Sequence, residues 1–381
     1  MKNVCFDKGL DLFNFMKALL ISNTDGSMFK FRKNLITFLQ KKEIEVSCIT
    51  SKTSIEGSYT ELLLKLKVNL YTFSFLSQSF LKSILTPLNI LKILRTDSFH
   101  VVHVFGHEAF MMSLFGLFLQ RKDSRFIVTI TGLGRFFSKD ASLYEKVIKN
   151  VICLLYYVSM SKIHKIILLN NHDYDCFKSF TKTDYHNKLV VINGEGSDFE
   201  VRNELALSES FTILYASRVM RQKGILQLIE AVKNIPSCTL KVCGFVDSDI
   251  SNEPDILKLI RNEFDNIEYL GFLSDIRPVL LESNCVCLPT EYMEGLPIIL
   301  VEALAFGKII ITTSAPGCAE LIKEGTNGFL LSKVTPDELT KKITLANNID
   351  AKSSLEYSTQ LFSEKYSHQV INSAIYGFYV D

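Results

Sequence analysis

From Lys17 onward, short aliphatic or β-branched runs alternate with longer segments whose apolar residues recur at helical spacing. Such alternation predicts parallel strands joined by helices. In the first half the runs at Ala18–Ile21, Glu45–Ile49, Asn69–Phe73, Val101–Phe105, Phe126–Ile130, Lys165–Leu169 and Lys188–Ile192 predict strands. Helices are predicted among them, as at Phe31–Lys42 and Tyr144–Ser161. A polar stretch from Asn193 to Ser210, with Gly194, Gly196 and Ser197 among several carboxylates, breaks the pattern and predicts a linker. The alternation then resumes at Thr212–Ala216, Thr239–Cys243, Ile267–Leu270, Cys285–Leu288 and Ile309–Thr312, and residues Ser353 to Val380 predict terminal helices.

The same pattern on both sides of a linker predicts an α/β chain of two doubly wound, Rossmann-like domains. The length of 381 residues agrees, because single cores stop growing near ~250–300 residues. Residues 1–198 are assigned to the first domain and 199–350 to the second, with helices from 351 to 381 expected to pack back toward the first. Ligands of such sheets sit at the carboxyl ends of the strands, so the loops there are where chemistry is sought.

A chain that is 47% hydrophobic and 22% charged is packed rather than disordered. The net charge of +1 conceals an asymmetry: residues 1–200 hold 26 Lys/Arg against 18 Asp/Glu, and the remainder 16 against 23. A basic half suits a surface of anionic lipid headgroups. Nucleic acid is not expected as a partner, since neither a strongly basic domain nor a reading motif is present. The nine cysteines are scattered, with no CxxC pair and no histidine at metal spacing, and read as reduced thiols of a cytosolic protein. The longest apolar runs, Val151–Met160 and Phe110–Leu119, are about ten residues, short of the ~18 of a membrane span. Residues 1–15 carry Asp7 and Asp11 without a small-residue cleavage site, and read as an extension rather than a signal peptide.

The most informative stretch runs from Glu294 to Gly307, E-G-L-P-I-I-L-V-E-A-L-A-F-G, just after the apolar strand Cys285–Leu288. Gly295 and Pro297 predict a tight turn into a helix, whose first amides favour a pyrophosphate. Glu294 falls in the loop and Glu302 on the first turns of the helix. This string resembles the E-x7-E signature of family 4 retaining glycosyltransferases, and the resemblance continues through Ile309–Thr313, Pro316–Glu320 and Gly325–Leu331. It implies a GT-B fold, two Rossmann-like domains facing across a cleft. It also implies that Glu294 binds donor-sugar hydroxyls, Glu302 the ribose, and the amides of Gly295, Leu296, Pro297 and Ile298 surround the diphosphate, the amide at Pro297 being one without a hydrogen.

After the first strand of the second half stands Y-A-S-R-V-M-R-Q-K-G, from Tyr215 to Gly224. The resemblance implies that Arg218 and Lys223 neutralise the departing diphosphate, Arg as a planar fork and Lys as a point charge. Two cations in these places do electrostatically what a metal does elsewhere; no Asp-x-Asp motif is present, and no cofactor or metal is expected.

In the first half, Ser22–Ser27 stands where the family commonly has a glycine pair, a departure from its pattern. Arg32, in the Phe29–Ile36 segment that follows, is assigned to the acceptor side, although an exposed helix arginine would fit the sequence as well. His107, just after the strand Val101–Phe105, matches a family histidine near the reacting sugar, whereas His100 and His103 are expected to pack or pair locally. Gly132, Gly134 and Arg135 lie in a segment, Thr129–Phe137, that resembles the Gly-Leu-Gly loop of enzymes extending undecaprenyl-diphosphate saccharides, and are assigned to the acceptor side. Asn193–Asp198 matches the family's Asn-Gly-x-Gly-x-Asp segment, although turns alone would account for its glycines.

The resemblance therefore implies metal-independent, retaining transfer of a hexose or N-acetylhexosamine from a UDP-sugar to a lipid-diphosphate-linked saccharide, at the inner face of the plasma membrane, in O-antigen or related polysaccharide assembly. Catalytic roles fall to Glu294, His107, Arg218 and Lys223. The helix of Phe80–Arg95, with Lys82, Lys92 and Arg95 among Leu and Ile, is one that lies on the inner leaflet or one that faces the core and is interrupted at Pro87. A dehydrogenase would need a GxGxxG turn that the early strands lack. A GT-B phosphorylase would share the architecture and reveal itself by phosphate-dependent cleavage. A non-catalytic sugar-nucleotide sensor would bind the donor without turnover.

Overall fold

A computed structural model describes residues 16–52, 59–75, 83–119, 124–134, 137, 142–202, 210–292 and 295–381. Glu294, Arg135, Lys82 and the extension 1–15 lie outside the described residues. Packing divides the chain into two compact units, Met1–Val104 with Met112–Phe126, and Phe105–Met111 with Ile127–Asp381.

In chain order the elements of the first sheet and its helices are β1 (Lys17–Ser22), α1 (Asp25–Lys41), β2 (Glu45–Thr50), α2 (Tyr59–Lys65), β3 (Asn69–Thr72), α3 (Thr86–Thr96), β4 (Val101–Phe105), α4 (His107–Leu119), β5 (Arg125–Ile130), α5 (Leu143–Ser159), β6 (Lys165–Leu168), α6 (Asn171–Phe180) and β7 (Leu189–Val191). The strands are ordered β3-β2-β1-β4-β5-β6-β7, reversing direction of growth between β1 and β4. Helix α1 starts six residues earlier than predicted because Thr24 accepts a hydrogen bond from the Ser27 amide and Asp25 occupies the first turn, both favourable at a helix start. The predicted helix is interrupted next to Pro87: Ser83 is helical, Ile84 and Leu85 form a turn, and α3 begins at Thr86 with Pro87 in its first turn, where no amide hydrogen is required. Of the helix predicted over Phe80–Arg95, the described part buries Thr86, Ile90, Leu91, Ile93 and Leu94. That face packs on the core, where a Cβ on Gly116 of α4 would lie 2.4 Å from the Leu94 side chain, while Ile84, Leu85 and Leu88 stay 56%, 61% and 53% exposed.

The second sheet is built from β8 (Phe211–Ala216), α7 (Ile225–Val232), β9 (Cys238–Cys243), α8 (Pro254–Ile260), β10 (Ile267–Gly271), α9 (Arg277–Glu282), β11 (Cys285–Leu288), α10 (Ile298–Ala305), β12 (Ile309–Thr313), β13 (Gly328–Leu331) and α11 (Pro336–Ala346), followed by α12 (Ala351–Leu361) and α13 (His368–Val380). Its order is β10-β9-β8-β11-β12-β13, all pairings parallel, with the reversal between β8 and β11. Parallel strands covered on both faces read as continuous apolar runs, as Ile213, Leu214, Leu240, Val286 and Ile310 do in the core. The predicted linker is held rather than slack over its described part: the Ser197 amide donates to Tyr366 O (3.2 Å) and the His368 amide to Ser197 O (3.0 Å). Gly196 serves this contact, since at φ +73° a Cβ would stand 2.8 Å from His368 Cα. At the end of α13, Tyr379 is buried and Phe378 lies 5.8 Å from Lys165 Nζ of β6.

The eight described cysteines are free thiols. Burial pushes them up, Cys243 and Cys318 each to about 11, so they are inert packing groups at neutral pH.

Candidate active site

The second sheet reverses between β8 and β11, the point at which doubly wound sheets place ligands outside the strands' carboxyl ends. The loop after β8 carries Arg218. Its backbone carbonyl accepts the buried Tyr215 hydroxyl at 2.8 Å, and its guanidinium reaches the Asp247 carboxylate at 3.7 Å while remaining more than half exposed. One 3-10 turn later comes Lys223, only 6% exposed. Gly224, at φ +69°, lets the chain leave that turn into α7, with the space of a Cβ occupied by Pro289 O at 2.3 Å.

Burial pushes the Lys223 ammonium down to about 8, with Arg218 adding to the shift and Cys318 opposing it. Its Nζ stands 5.3 Å from the centre of the Tyr292 ring, on the loop after β11. That loop is fastened to the Lys223 turn by the Glu291 amide, which donates to Gln222 O at 2.9 Å. A buried, still mostly protonated lysine beside a half-exposed arginine is a costly arrangement that a bound anion would offset.

The loop after β11 leads to Gly295 and to α10. Pro297 is the N-cap and supplies no side-chain cap, and no acidic residue stands in the first turn. The positive end of the helix dipole is left for an external anion. Helix α10 buries Ile299, Leu300, Val301, Ala303, Leu304 and Ala305, which leaves Glu302 as its one polar side chain, half-buried and felt electrostatically by Arg277.

The Gly295 turn is gripped from several directions. Its carbonyl accepts Asn170 Nδ2 at 2.7 Å, a Cβ on Gly295 would lie 2.6 Å from Thr131 O, and a Cβ on Gly317 would lie 2.1 Å from Gly295 O. Leu296 packs on Gly194, whose own Cβ position is 2.4 Å from the Leu296 side chain, so the Asn193–Asp198 segment supports this turn. Asn170 is not among the residues the sequence singles out. The signal it offers is its place directly after the strand Lys165–Leu169; it is fully buried, and its Oδ1 also caps α6 through the Asp173 amide at 2.8 Å.

His107 opens α4 after Gly106, which takes φ +86°. Its Nδ1 pairs with the Tyr156 hydroxyl at 3.1 Å and its ring stacks on Phe137 at 5.9 Å between centroids. Burial pushes the imidazole down to about 4, opposed by the Gly132 backbone, so it is neutral at physiological pH. Nε2 is buried and, with the Gly132 backbone nearby, makes no hydrogen bond of normal geometry among the described residues, a condition a substrate hydroxyl would relieve. Gly132 takes φ +126° and Gly134 φ +68°, the latter facing open space. Arg32 is buried, not exposed: its guanidinium bonds Ser27 O and Oγ, each at 3.1 Å, on its own helix. His100 Nδ1 accepts the Lys17 amide at 3.0 Å, and buried His103 is pushed down to about 3 by burial and by Arg32, so both serve the first sheet locally.

Residues 197–360 match the family model Glycosyl transferases group 1. The matched segment holds Arg218, Lys223, Gly295 to Ile298 and Glu302. The chain is 24% identical to the N,N'-diacetylbacillosaminyl-diphospho-undecaprenol alpha-1,3-N-acetylgalactosaminyltransferase of Campylobacter jejuni, over 92% of this chain and 97% of that protein. It is 25% identical to the capsular polysaccharide biosynthesis glycosyltransferase CapM of Staphylococcus aureus, over 90% and 92%. Among solved structures, a glycosyltransferase from Rickettsia africae superposes with a TM-score of 0.75 at 18% identity, over 96% of this chain and 98% of that one. Anabaena HepE in complex with UDP and glucose does so with a TM-score of 0.74, also at 18% identity, over 95% and 98%. The fold is that of the GT-B glycosyltransferases, two Rossmann-like α/β domains with parallel sheets.

Proposed function

We propose that the chain is a metal-independent, retaining glycosyltransferase that moves a hexose or N-acetylhexosamine from a UDP-sugar to an undecaprenyl-diphosphate-linked saccharide in O-antigen or other surface polysaccharide biosynthesis. The observation that carries this is the convergence of the Lys223 turn and the Gly295 turn at the reversal of the second sheet, fastened by the Glu291–Gln222 hydrogen bond. Residues 199–350 hold the donor. Arg218 and Lys223 meet the diphosphate with the first amides of α10, Glu302 the ribose, and Glu294 the sugar hydroxyls. The acceptor hydroxyl attacks on the face the diphosphate leaves, and a diphosphate oxygen takes its proton, so no protein base is needed. Neutral His107 offers Nε2 to the donor sugar. The Campylobacter jejuni protein is named for transfer to an undecaprenol-linked diphosphate, which supports the acceptor class, and HepE was crystallised with UDP, which supports the donor class. UDP-N-acetylgalactosamine is the first donor to try, then UDP-N-acetylglucosamine and UDP-galactose.

The test is product formation with a panel of UDP- and GDP-sugars and a synthetic lipid-diphosphate saccharide, wild type beside Glu294→Ala. One donor giving an α-linked product that the variant loses is the expected result; donor binding without turnover would favour a sugar-nucleotide sensor, and phosphate-dependent cleavage a phosphorylase.

A pH dependence follows from Lys223. Its folded pKa of about 8 lies below the ordinary 10.5, so the ligand-free site discharges as pH rises through 8. UDP affinity, followed by calorimetry from pH 6.5 to 9.5, is expected to fall above pH 8, with a limiting slope of about tenfold per pH unit, and to fall less steeply in Lys223→Ala. Stability of the ligand-free protein moves the other way: between about 8 and 10.5 the unfolded chain holds a proton that the folded one has lost, so rising pH favours folding there. Parallel slopes in the two proteins would remove Lys223 from the site.

A further inference from the structure

We propose that the outward face of α5 docks the protein onto a bilayer of anionic phospholipid, a step that rests on the lipid-linked acceptor proposed above. Helix α5 packs inward through Ile152, Tyr156 and Ser159. On the opposite side Leu143, Val147, Val151, Leu154 and Val158 are 83%, 60%, 49%, 59% and 48% exposed. Their spacing of four, four, three and four residues is that of a single helical stripe. A helix with one apolar face already packed has no need of a second one in water, and a continuous exposed stripe marks an interaction surface. Tyr144 and Tyr157, 73% and 40% exposed, flank it with rings that suit the boundary between apolar and aqueous layers.

The charge around the stripe selects the occupant. Lys146 on the helix and Lys162 just beyond it are exposed, and the only carboxylate between Ser142 and Lys165 is Glu145; Lys149 faces inward to Phe137, and Lys165 Nζ donates to Asn187 O at 3.1 Å. Glu145 is engaged in the capping box that starts the helix, accepting from the Ser142 amide and hydroxyl, each at 2.9 Å. Lys182 adds a further cation, its Nζ 5.3 Å from the Tyr157 ring. A second copy meeting this face by two-fold symmetry would set lysines against lysines, whereas a layer of anionic headgroups over acyl chains satisfies both the cations and the stripe. Seventeen residues at 1.5 Å each make about 25 Å of helix, enough to lie along such a surface. No helix among the described residues is long and apolar enough to cross a membrane.

The inward side of the same helix meets the loop assigned to the acceptor: Lys149 Nζ stands 5.2 Å from the ring of Phe137, and Phe137 stacks on His107.

The experiment is co-sedimentation of the full chain with vesicles of phosphatidylglycerol and phosphatidylethanolamine, and with vesicles of phosphatidylcholine alone. Wild type is expected to bind the anionic vesicles at least about tenfold more tightly than the neutral ones, and less tightly as salt is raised. The double variant Val147→Glu/Leu154→Glu, and separately Lys146→Glu/Lys162→Glu, is expected to lose about tenfold or more of that binding with unchanged UDP affinity and melting temperature. Absence of anionic-vesicle binding by wild type would overturn the proposal, as would wild-type binding by both variants, or a lipid-free dimer that Val147→Glu/Leu154→Glu dissociates. Transfer to a short-chain, water-soluble acceptor is measured alongside. Vesicle binding without any transfer upholds the docking face and sinks the transferase, and transfer without vesicle binding does the reverse.

Discussion

Alanine in place of Lys223 is expected to lower kcat/KM for sugar transfer about 10²–10³-fold. Lys223 is only 6% exposed, so the interaction of its ammonium with a departing diphosphate would be poorly screened. Arg218 is over half exposed and already shares its charge with Asp247, so Arg218→Ala is expected to cost nearer tenfold. The two should be non-additive, since both act on one leaving group. Folding is a separate readout. In the ligand-free protein the charged lysine is itself desolvated, so its removal offsets part of the packing lost, and the melting temperature is expected to move little. A Lys223→Ala enzyme within threefold of wild type would place the leaving diphosphate elsewhere. A large drop in melting temperature would assign Lys223 a packing role instead.

The strands of both sheets and the turn into α10 are legible in the chain because their signals are local. Parallel strands covered on both faces leave continuous apolar runs such as Cys285–Leu288, and Gly-Leu-Pro before an apolar helix announces the turn whatever surrounds it. The start of α1 is not legible, because Asp25-Gly26-Ser27 is as good a loop as a first turn, and only the Thr24 side chain bonding the Ser27 amide decides between them. Pro87 carries the same ambiguity, since the residue that interrupts a helix interior also opens a helix. Nor does periodicity rank the two apolar helices by exposure. The described part of Phe80–Arg95 buries Ile90, Leu91, Ile93 and Leu94 and leaves Ile84, Leu85 and Leu88 outside, while α5 keeps a stripe of five apolar residues outside, a division that the pattern alone does not assign. Asn170 is hidden for a different reason: it acts across 125 residues of chain on a carbonyl, and a carbonyl has no sequence signature.

Gly317→Ala is expected to destabilise the protein by ~3 kcal/mol, lowering the melting temperature by roughly 5–10 °C, and to weaken UDP binding more than tenfold. Gly317 takes φ +74°, a conformation that costs an alanine ~1 kcal/mol by itself. The larger part comes from what the methyl group would meet: Gly295 O at 2.1 Å, Gly295 C at 2.9 Å and Leu296 Cα at 3.1 Å, all backbone. That backbone has little room to recoil, because Asn170 holds the same carbonyl at 2.7 Å and Gly295 already lies against the backbone of Thr131. Any relief must shift Leu296 to Ile298, the start of α10 that the proposed function assigns to the diphosphate. Gly325→Ala supplies the control. Its φ of +73° is nearly the same, but a Cβ there meets nothing within 4 Å, so it should carry the backbone cost alone and leave UDP affinity unchanged. If both variants weaken UDP equally, the effect is general destabilisation and the turn is not the diphosphate's seat. If only Gly317→Ala does, the geometry of three loops, after β5, β6 and β12, is what holds the donor site in shape.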